Sequence, residues 1–437
     1  MSKLHVGLLG FGTVGAGMVE ILVNNRQLIE DRVGGEIVLK KIADLDIRAD
    51  RGVKIDSTML TTDPMEILDD PEIDVVVEVI GGIDQALDYI SMAMQRGKHV
   101  VSANKALIAT HGKQLFEMAE KYGVDISFGA SVAGGIPIIK ALREGLAANR
   151  IQSVLAILNG TSNYILTRMT QEGLSFQEAL TKAQRMRYAE ADPTLDINGS
   201  DAAHKLTIII SLSFGSPFSY EDIYKEGIDM VSPEDLRFAS EFGYCVKLLA
   251  IARQSGEHIE ARVHPAFVPK DHILANVNEA YNAVYVEGDS VGSTLFYGLG
   301  AGRKPTGSAV VADLIDIARN HLKGITRRIA PLSFSRPPSK HPSLKPMDEV
   351  RTGYYFRVTA SDRPGVLSMI SGILGEHNIS IAAVIQKKRE AHSAVPVVML
   401  THEARERDVR ESLKLIDHLD VVAEKTVVFR VEKKTDL

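Results

Sequence analysis

The sequence predicts an α/β protein in three parts: an N-terminal doubly wound parallel sheet, an α+β middle region and a C-terminal βαββαβ unit. Three observations lead there. The first 130 residues alternate short apolar runs with stretches of helical spacing, the pattern of a parallel sheet covered on both faces. Residues 331–346 hold 5 of the chain's 16 prolines and read as a semi-rigid linker, since proline removes donors and keeps the backbone extended. Past that stretch, strand and helix periods follow in the order of a ferredoxin-like unit.

Each element has its own local reason. Leu4–Leu9 is a short apolar strand, and Thr13–Leu28 carries Val14, Met18, Ile21 and Leu22 on one helical face. Glu36–Ala43, Asp74–Ile80 and His99–Ser102 read as further strands, with a helix over Gln85–Gln95 between the last two. From about 150 to 325 strands and helices mix less regularly. After the linker come a strand at Tyr354–Ala360 and a helix at Pro364–Glu376, with Val366, Leu367, Ile370, Ile373 and Leu374 on one face. Strands at Ile379–Gln386 and Ala394–Leu400, a helix at Arg405–His418 and a strand at Val421–Val431 complete the unit.

Composition removes several classes of function. With 437 residues, 45% hydrophobic and 24% charged, the chain has an ordinary globular balance and enough length for two or more domains. Cys245 is the only cysteine, which excludes an intrachain disulfide and thiolate zinc sites. A net charge of −6 without a basic block argues against nucleic acid and anionic membranes as partners. No apolar run approaches the ~20 residues of a membrane span, and residues 4–9 are too short for a signal segment, so the expected compartment is the cytoplasm.

Two clusters carry chemistry. Gly10-Phe11-Gly12-Thr13-Val14-Gly15 fits G-x-G-x-x-G between a strand and a helix. In that setting the glycines allow a tight turn and a close approach to a pyrophosphate, which the helix N-terminus stabilises. Asp44 ends the second strand, where an acid binds ribose hydroxyls, although it lies 29 residues past Gly15. Lys40, Lys41, Arg48 and Arg51 surround it, and any of them could hold a 2′-phosphate; NADP(H) and NAD(H) both stay open. The second cluster is Tyr188–Lys205. Its first part is loop chemistry around Pro193 and Asn198-Gly199, and Ser200 is a credible N-cap for a helix running through Ile210. Asp201 and Lys205 then share a face at i, i+4. The apolar turns that follow point to burial, and a lysine held by one carboxylate beside an apolar wall suits proton transfer. Lys105 follows the strand His99–Ser102, at the end that faces the ligand crevice of such a sheet. The thirteen histidines show no metal-ligand spacing, and His204 reads as a packing residue.

Taken together these segments closely resemble homoserine dehydrogenase, in the monofunctional bacterial form with a C-terminal ACT domain. The resemblance rests on Gly10–Gly15, Val77-Glu-Val-Ile-Gly81-Gly, Gly97-Lys-His-Val-Val-Ser102-Ala-Asn-Lys105, Ala130-Ser-Val-Ala-Gly-Gly-Ile-Pro137, Asn159-Gly-Thr-Ser-Asn-Tyr-Ile-Leu166, Tyr188–Lys205 and Gly298-Leu-Gly-Ala-Gly302-Arg-Lys-Pro-Thr-Gly307. No aspartokinase-like region precedes them. The resemblance implies reversible nicotinamide-dependent interconversion of L-aspartate 4-semialdehyde and L-homoserine. Lys205 is then the acid–base group, Asp201 orients it, and Lys105 lies near cofactor and substrate. Glu190 and Asp196 surround the substrate, with Glu190 on its ammonium group. Phe11, Thr13, Val14, Gly81, Ser102 and Gly302 join the glycines at the dinucleotide.

Implied boundaries are a Rossmann-type domain at 1–135 completed near 300–325, a substrate and dimerisation domain at 136–325, the linker at 326–350 and a regulatory ACT domain at 351–437. Asp362–Leu367 is the turn at which such domains take a small amino acid, here threonine first, and a homodimer or homotetramer is expected. The proline linker suggests that this last unit folds alone. The family also binds a monovalent cation, Na⁺ or K⁺, beside a glutamate that is Gly129 here; the backbone of Gly129, Val132, Gly134 and Ile136 could still serve. Two rival readings remain. One is a dehydrogenase for another amino-acid-derived alcohol, the other an amino-acid sensor that has kept the cofactor fold.

Overall fold

The computed structural model describes residues 3–336, 338, 341–386 and 394–432. Positions 337, 339 and 340 of the expected linker, and 387–393 and 433–437 of the expected C-terminal domain, lie outside them. The chain gathers into two compact units, each discontinuous in sequence: residues 1–160, 201–223 and 281–342 form one, and 161–200, 224–280 and 343–437 the other.

In chain order the principal elements begin with β1 (Lys3–Leu9), α1 (Thr13–Asn24), β2 (Glu36–Ala43), β3 (Leu60–Thr61) and β4 (Val75–Glu78). Then come α2 (Asp84–Gln95), β5 (His99–Ser102), α3 (Lys105–Tyr122), β6 (Ile126–Ser127), β7 (Ile151–Ile157), α4 (Gly160–Glu172) and α5 (Ser200–Phe214). Two hairpins follow, β8 (Tyr244–Ser255) with β9 (His258–Pro269) and β10 (Tyr281–Gly288) with β11 (Gly292–Leu299), and then the helix α6 (Arg303–His321). The C-terminal part contributes β12 (Arg351–Ser361), α7 (Val366–Glu376), β13 (Ile381–Ile385), β14 (Ala394–Thr401), α8 (Glu406–Asp417) and β15 (Val427–Val431), the expected βαββαβ order.

The first unit is built on a six-stranded parallel sheet in the order β3-β2-β1-β4-β5-β6, a Rossmann arrangement whose ligand crevice opens where the order reverses, between β1 and β4. Val75, Val76 and Val77 are all fully buried, because helices cover both faces and β4 has no wet side. The expected helix Thr13–Leu28 ends four residues early: the backbone leaves helical geometry at Asn25 and a second helix runs over Arg26–Val33. From far along the chain, α6 lies on α1. A Cβ at Gly17 would stand 2.1 Å from the Arg303 carbonyl oxygen, and one at Gly307 2.6 Å from the Gly17 carbonyl carbon. Two glycines thus let the helix backbones touch, and Val310, Val311, Leu314 and Ile317 join the core of β1 and α1. In the same unit β10 pairs antiparallel with β7 and β11, with Ala283 opposite Ile157.

In the second unit the strands run β8-β9-β15-β12-β14-β13. The C-terminal segment is therefore not isolated by the proline stretch. Its strand β15 pairs in parallel with β9, Ala266 opposite Arg430 and Phe267 opposite Val431, and the Phe267 ring lies 4.6 Å from that of Tyr355. Charges are buried along this seam. Arg262, 1% exposed, binds Glu260 at 2.7 Å and Glu432 at 3.3 Å. Glu432 also accepts from Arg253 at 2.6 Å, and fully buried Asp235 accepts from Arg357 at 2.6 Å and Tyr355 at 2.9 Å. Glu226 and Glu406 clamp Arg430.

Removing one partner of a buried pair strands the other charge, which costs about 3–5 kcal/mol. Glu432→Ala, which leaves Arg253 and Arg262 facing each other, should lower stability by about that amount in urea unfolding. Ending the chain near Ala330 should yield insoluble protein rather than an active core. A truncated chain that unfolds cooperatively would show that the second unit stands without β12–β15.

Candidate active site

The nucleotide end is set by backbone geometry. Gly10 has φ +99°, and a Cβ there would lie 2.7 Å from the Val79 carbonyl oxygen; one at Gly15 would lie 2.2 Å from that of Gly10. At Gly12, by contrast, a Cβ would meet nothing within 4 Å, and Gly12 caps α1 without a side-chain hydrogen bond. The first-turn N–H groups of α1 therefore face open space, the arrangement that receives a pyrophosphate. Phe11 is buried, Thr13 exposed and Val14 half-buried. Gly302, φ +128°, caps α6.

Asp44 does not stand ready for a ribose. Its Oδ2 accepts the Phe11 N–H at 2.5 Å, its Oδ1 accepts the Asp46 N–H at 2.9 Å, and Arg51 lies 3.5 Å away. The acid thus fastens the glycine loop to the end of β2. Lys40 is spent on Asp70 and Glu72, and Lys41 on Glu66. Arg51 stays beside the loop, and Arg303, which sequence reasoning missed, brings a guanidinium nitrogen 3.8 Å from where a Cβ of Gly52 would be.

Glu78, at the end of β4, was also missed. It is fully buried, accepts the Ser102 hydroxyl at 2.6 Å and the Ile80 and Gly81 N–H groups at 3.0 and 3.4 Å, and so staples the ends of β4 and β5. The Ser102 hydroxyl, expected at the cofactor, is committed to this staple; Gly81, φ +78°, keeps open space at its α-carbon. Burial pushes the Glu78 carboxyl above the usual range, against hydrogen bonds that favour its charged form.

The expected catalytic trio comes together. Lys205 Nζ donates to Asp201 Oδ2 at 2.6 Å and to the Leu158 carbonyl oxygen at 2.7 Å. Lys105 Nζ lies 3.2 Å from Asp201 Oδ1, and Asn159 Nδ2 donates to Oδ2 at 2.8 Å. Burial alone would raise the Asp201 carboxyl, but Lys205, Lys105 and Asn159 outweigh it and hold the group well below the ordinary carboxylate range. An ammonium has three donors; two of those on Lys205 are used, which leaves one for an oxygen of a ligand. Two lysines around one carboxylate give a net positive site suited to a developing oxyanion. Ser200 begins α5 rather than capping it, and the Asn198 side chain accepts its N–H at 2.9 Å. In the second unit Glu190 is exposed and Asp196 half-buried. His204 stacks on Tyr220 with centroids 3.9 Å apart.

The turn at 129–136 has Ala133 and Gly134 both near φ +55°. The carbonyl of Ile136 accepts the Ile138 N–H at 2.8 Å. An acid reaches the place where residue 129 lacks one: the Gly129 N–H donates to Asp313 Oδ2 at 2.8 Å, and a Cβ on Gly129 would lie 2.8 Å from Asp313 Oδ1. Carbonyl oxygens with one neighbouring carboxyl suit a hard cation. Among the described residues no group of three or more His, Cys, Asp or Glu could hold a metal ion.

A Rossmann sheet with an open glycine loop, and a buried lysine with a spare donor in the same unit, define a nicotinamide-dependent oxidoreductase. Family models agree on which. "Homoserine dehydrogenase, NAD binding domain" matches residues 10–129, "Homoserine dehydrogenase" 137–315 and "ACT domain" 354–418. The homoserine dehydrogenase of Neisseria gonorrhoeae is 44% identical over 436 residues, covering 100% of both chains. The crystal structure of a homoserine dehydrogenase from Thiobacillus denitrificans superposes with a TM-score of 0.92 at 47% identity over 99% of each chain. A hyperthermophilic archaeal homoserine dehydrogenase in complex with NADPH gives a TM-score of 0.62 at 26% identity, over 74% of this chain and 98% of that one. The chain belongs to the homoserine dehydrogenase family, and is an oxidoreductase that acts on a CH–OH group with NAD(P). The sensor and other-alcohol readings fall away.

The Glu78 staple yields a pH signature. A carboxyl raised in the fold contributes stability that is fully present below its unfolded value, about 4.3, and is lost as pH rises through the folded value. Glu78→Gln keeps an acceptor for Ile80 and Gly81 and has no proton to lose. Its melting temperature relative to wild type should climb between about pH 5 and pH 8. A constant difference across that range would mean that Glu78 does not titrate there.

Proposed function

We propose that Lys205 is the acid–base residue for the interconversion of L-aspartate 4-semialdehyde and L-homoserine. The observation that carries this is the Lys205 ammonium, 9% exposed as a residue and held by Asp201 and the Leu158 carbonyl with one donor left over. A bound nicotinamide supplies or accepts the hydride at the reacting carbon. Lys205 gives its remaining proton to the carbonyl oxygen in reduction and takes the hydroxyl proton in oxidation. Asp201 positions Lys205, and Lys105 adds the second positive charge that stabilises the alkoxide. Glu190 and Asp196 are the acids for the substrate's ammonium group.

The decisive experiment is Lys205→Met. Turnover should fall at least ~100-fold, the scale for losing a positioned proton donor, with dinucleotide affinity nearly unchanged. A variant that turns over at the wild-type rate would remove Lys205 from the mechanism.

NADP(H) is favoured over NAD(H), because Asp44 is occupied by Phe11 and Arg51 stands beside it; the NADPH of the archaeal relative is in keeping with that. The open face of Gly12 and the α1 N-terminus would hold the pyrophosphate. Gly129, Val132, Gly134 and Ile136 carbonyls, with Asp313, would hold Na⁺ or K⁺, which would stiffen the turn. An amino acid, threonine first, would bind at the Asp362–Leu367 turn, where Asp362 Oδ2 is buried without a partner among the described residues. The enzyme would work in the cytoplasm as a homodimer or homotetramer. One assay of homoserine oxidation reads these points together. The specificity constant should be higher with NADP⁺ and drop selectively with NADP⁺ in Arg51→Ala; added Na⁺ should stimulate modestly and threonine inhibit. Equal rates with both dinucleotides in wild type and variant would return the ribose to Asp44, and indifference to Na⁺ or threonine would remove that site.

A further inference from the structure

Asn282 begins where β10 meets the end of β7. Ala283 pairs with Ile157, so the antiparallel register sets Asn282 opposite Leu158. Its Nδ2 donates to the Leu158 carbonyl oxygen at 2.9 Å, the same oxygen that accepts Lys205 Nζ at 2.7 Å. The residue is 1% exposed, and its Oδ1 is buried without a partner among the described residues. The amide's orientation follows from chemistry, because a carbonyl oxygen only accepts and turning the amide round would set two oxygens against each other.

The rest of the surroundings hold that amide in place. Its plane lies against Gly300, where a Cβ would be 2.1 Å from Asn282 Cγ and Nδ2. Behind Gly300, a Cβ at Gly134 would meet the Gly300 carbonyl oxygen at 2.6 Å. An amide thus stands on two successive glycine backbones. A buried amide with one orphaned oxygen is costly, and a leucine would fill the space with no polar atom to satisfy. What asparagine alone supplies here is the donor to Leu158.

We propose that Asn282 is a positioning residue for the dehydrogenase reaction: it fixes the Leu158 carbonyl, and through it the direction of the Lys205 ammonium. The inference rests on Lys205 being the acid–base group. With both lone pairs of the carbonyl taken, by Asn282 and Lys205, the Leu158 peptide plane cannot turn. Released on the Asn282 side, it can rotate and let Nζ settle on Asp201, its partner one turn back on α5. A displacement near 1 Å costs about 100-fold in rate where geometry governs the step.

The test compares Asn282→Leu, which keeps the volume and loses the donor, with Asn282→Ala, and uses Lys205→Met as reference. Both asparagine variants should lose about 10- to 100-fold in kcat, with KM for NADP⁺ unchanged. Gly300→Ala, which pushes the amide off the carbonyl, should show the same split and guards against misfolding of Asn282→Leu. If Asn282→Leu and Gly300→Ala keep wild-type kcat while Lys205→Met has lost it, Asn282 only fills space and the proposal is overturned. If Lys205→Met itself keeps its turnover, the acid–base reading fails first and takes this inference with it.

Discussion

A single buried carboxylate organises the catalytic half of the first unit. Asp201 is 6% exposed and carries a charge that burial opposes. It stays charged because three segments distant in sequence end on it: Lys205 from its own helix, Lys105 from the end of β5 and Asn159 from the end of β7. A charge this deep is tolerated only when its partners are held in place, so each segment is fixed as firmly as the ion pair requires. Lys105 shows how strong that demand is. It is the first residue of α3, where the helix dipole disfavours a cation, and Asn104, not the lysine, caps the helix by accepting the Leu107 N–H at 3.1 Å. The lysine is there for Asp201.

Around that pair, close backbone approach does what side chains cannot. Gly17 and Gly307 let α6 lie directly on α1, so the helix that opens at Gly302 is registered against the helix that opens at Gly12. The glycine loop is fixed a second time by Asp44 through the Phe11 N–H. Its role reverses the sequence expectation for physical reasons. An acid at the end of β2 can serve a ribose or the loop beside it, and a 2.5 Å hydrogen bond to backbone decides for the loop.

What the sequence made legible had short-range causes. The valine run of β4, the glycine spacing and the i, i+4 pair of Asp201 and Lys205 each express a period or an offset that residues a few positions apart determine. The strand order followed from the alternation of strands and helices. What stayed hidden depended on pairings far apart in the chain. Lys40 and Lys41 looked like phosphate ligands because Asp70, Glu72 and Glu66 are distant in sequence. Arg262 and Glu432, 170 positions apart, read as surface charges on alternating strands. Glu78 looked like one polar residue in an apolar strand, and nothing local says that Ser102 turns toward it.

The proline stretch misled in an instructive way. It marks where the backbone runs extended, but it carries no information about which strand β15 will choose. Parallel pairing of β15 with β9 merges the C-terminal segment into the sheet of the second unit, and Arg430, Glu226 and Glu406 lock the seam. That sets a limit on any signal sent from the ACT segment. Coupling between sites typically amounts to about 1–3 kcal/mol, less than the about 3–5 kcal/mol lost when a buried pair is broken. A ligand bound near Asp362 therefore cannot work by undoing the charge network. Its effect has to pass through the network intact, by tilting β12 and β15 with β9 as one continuous sheet.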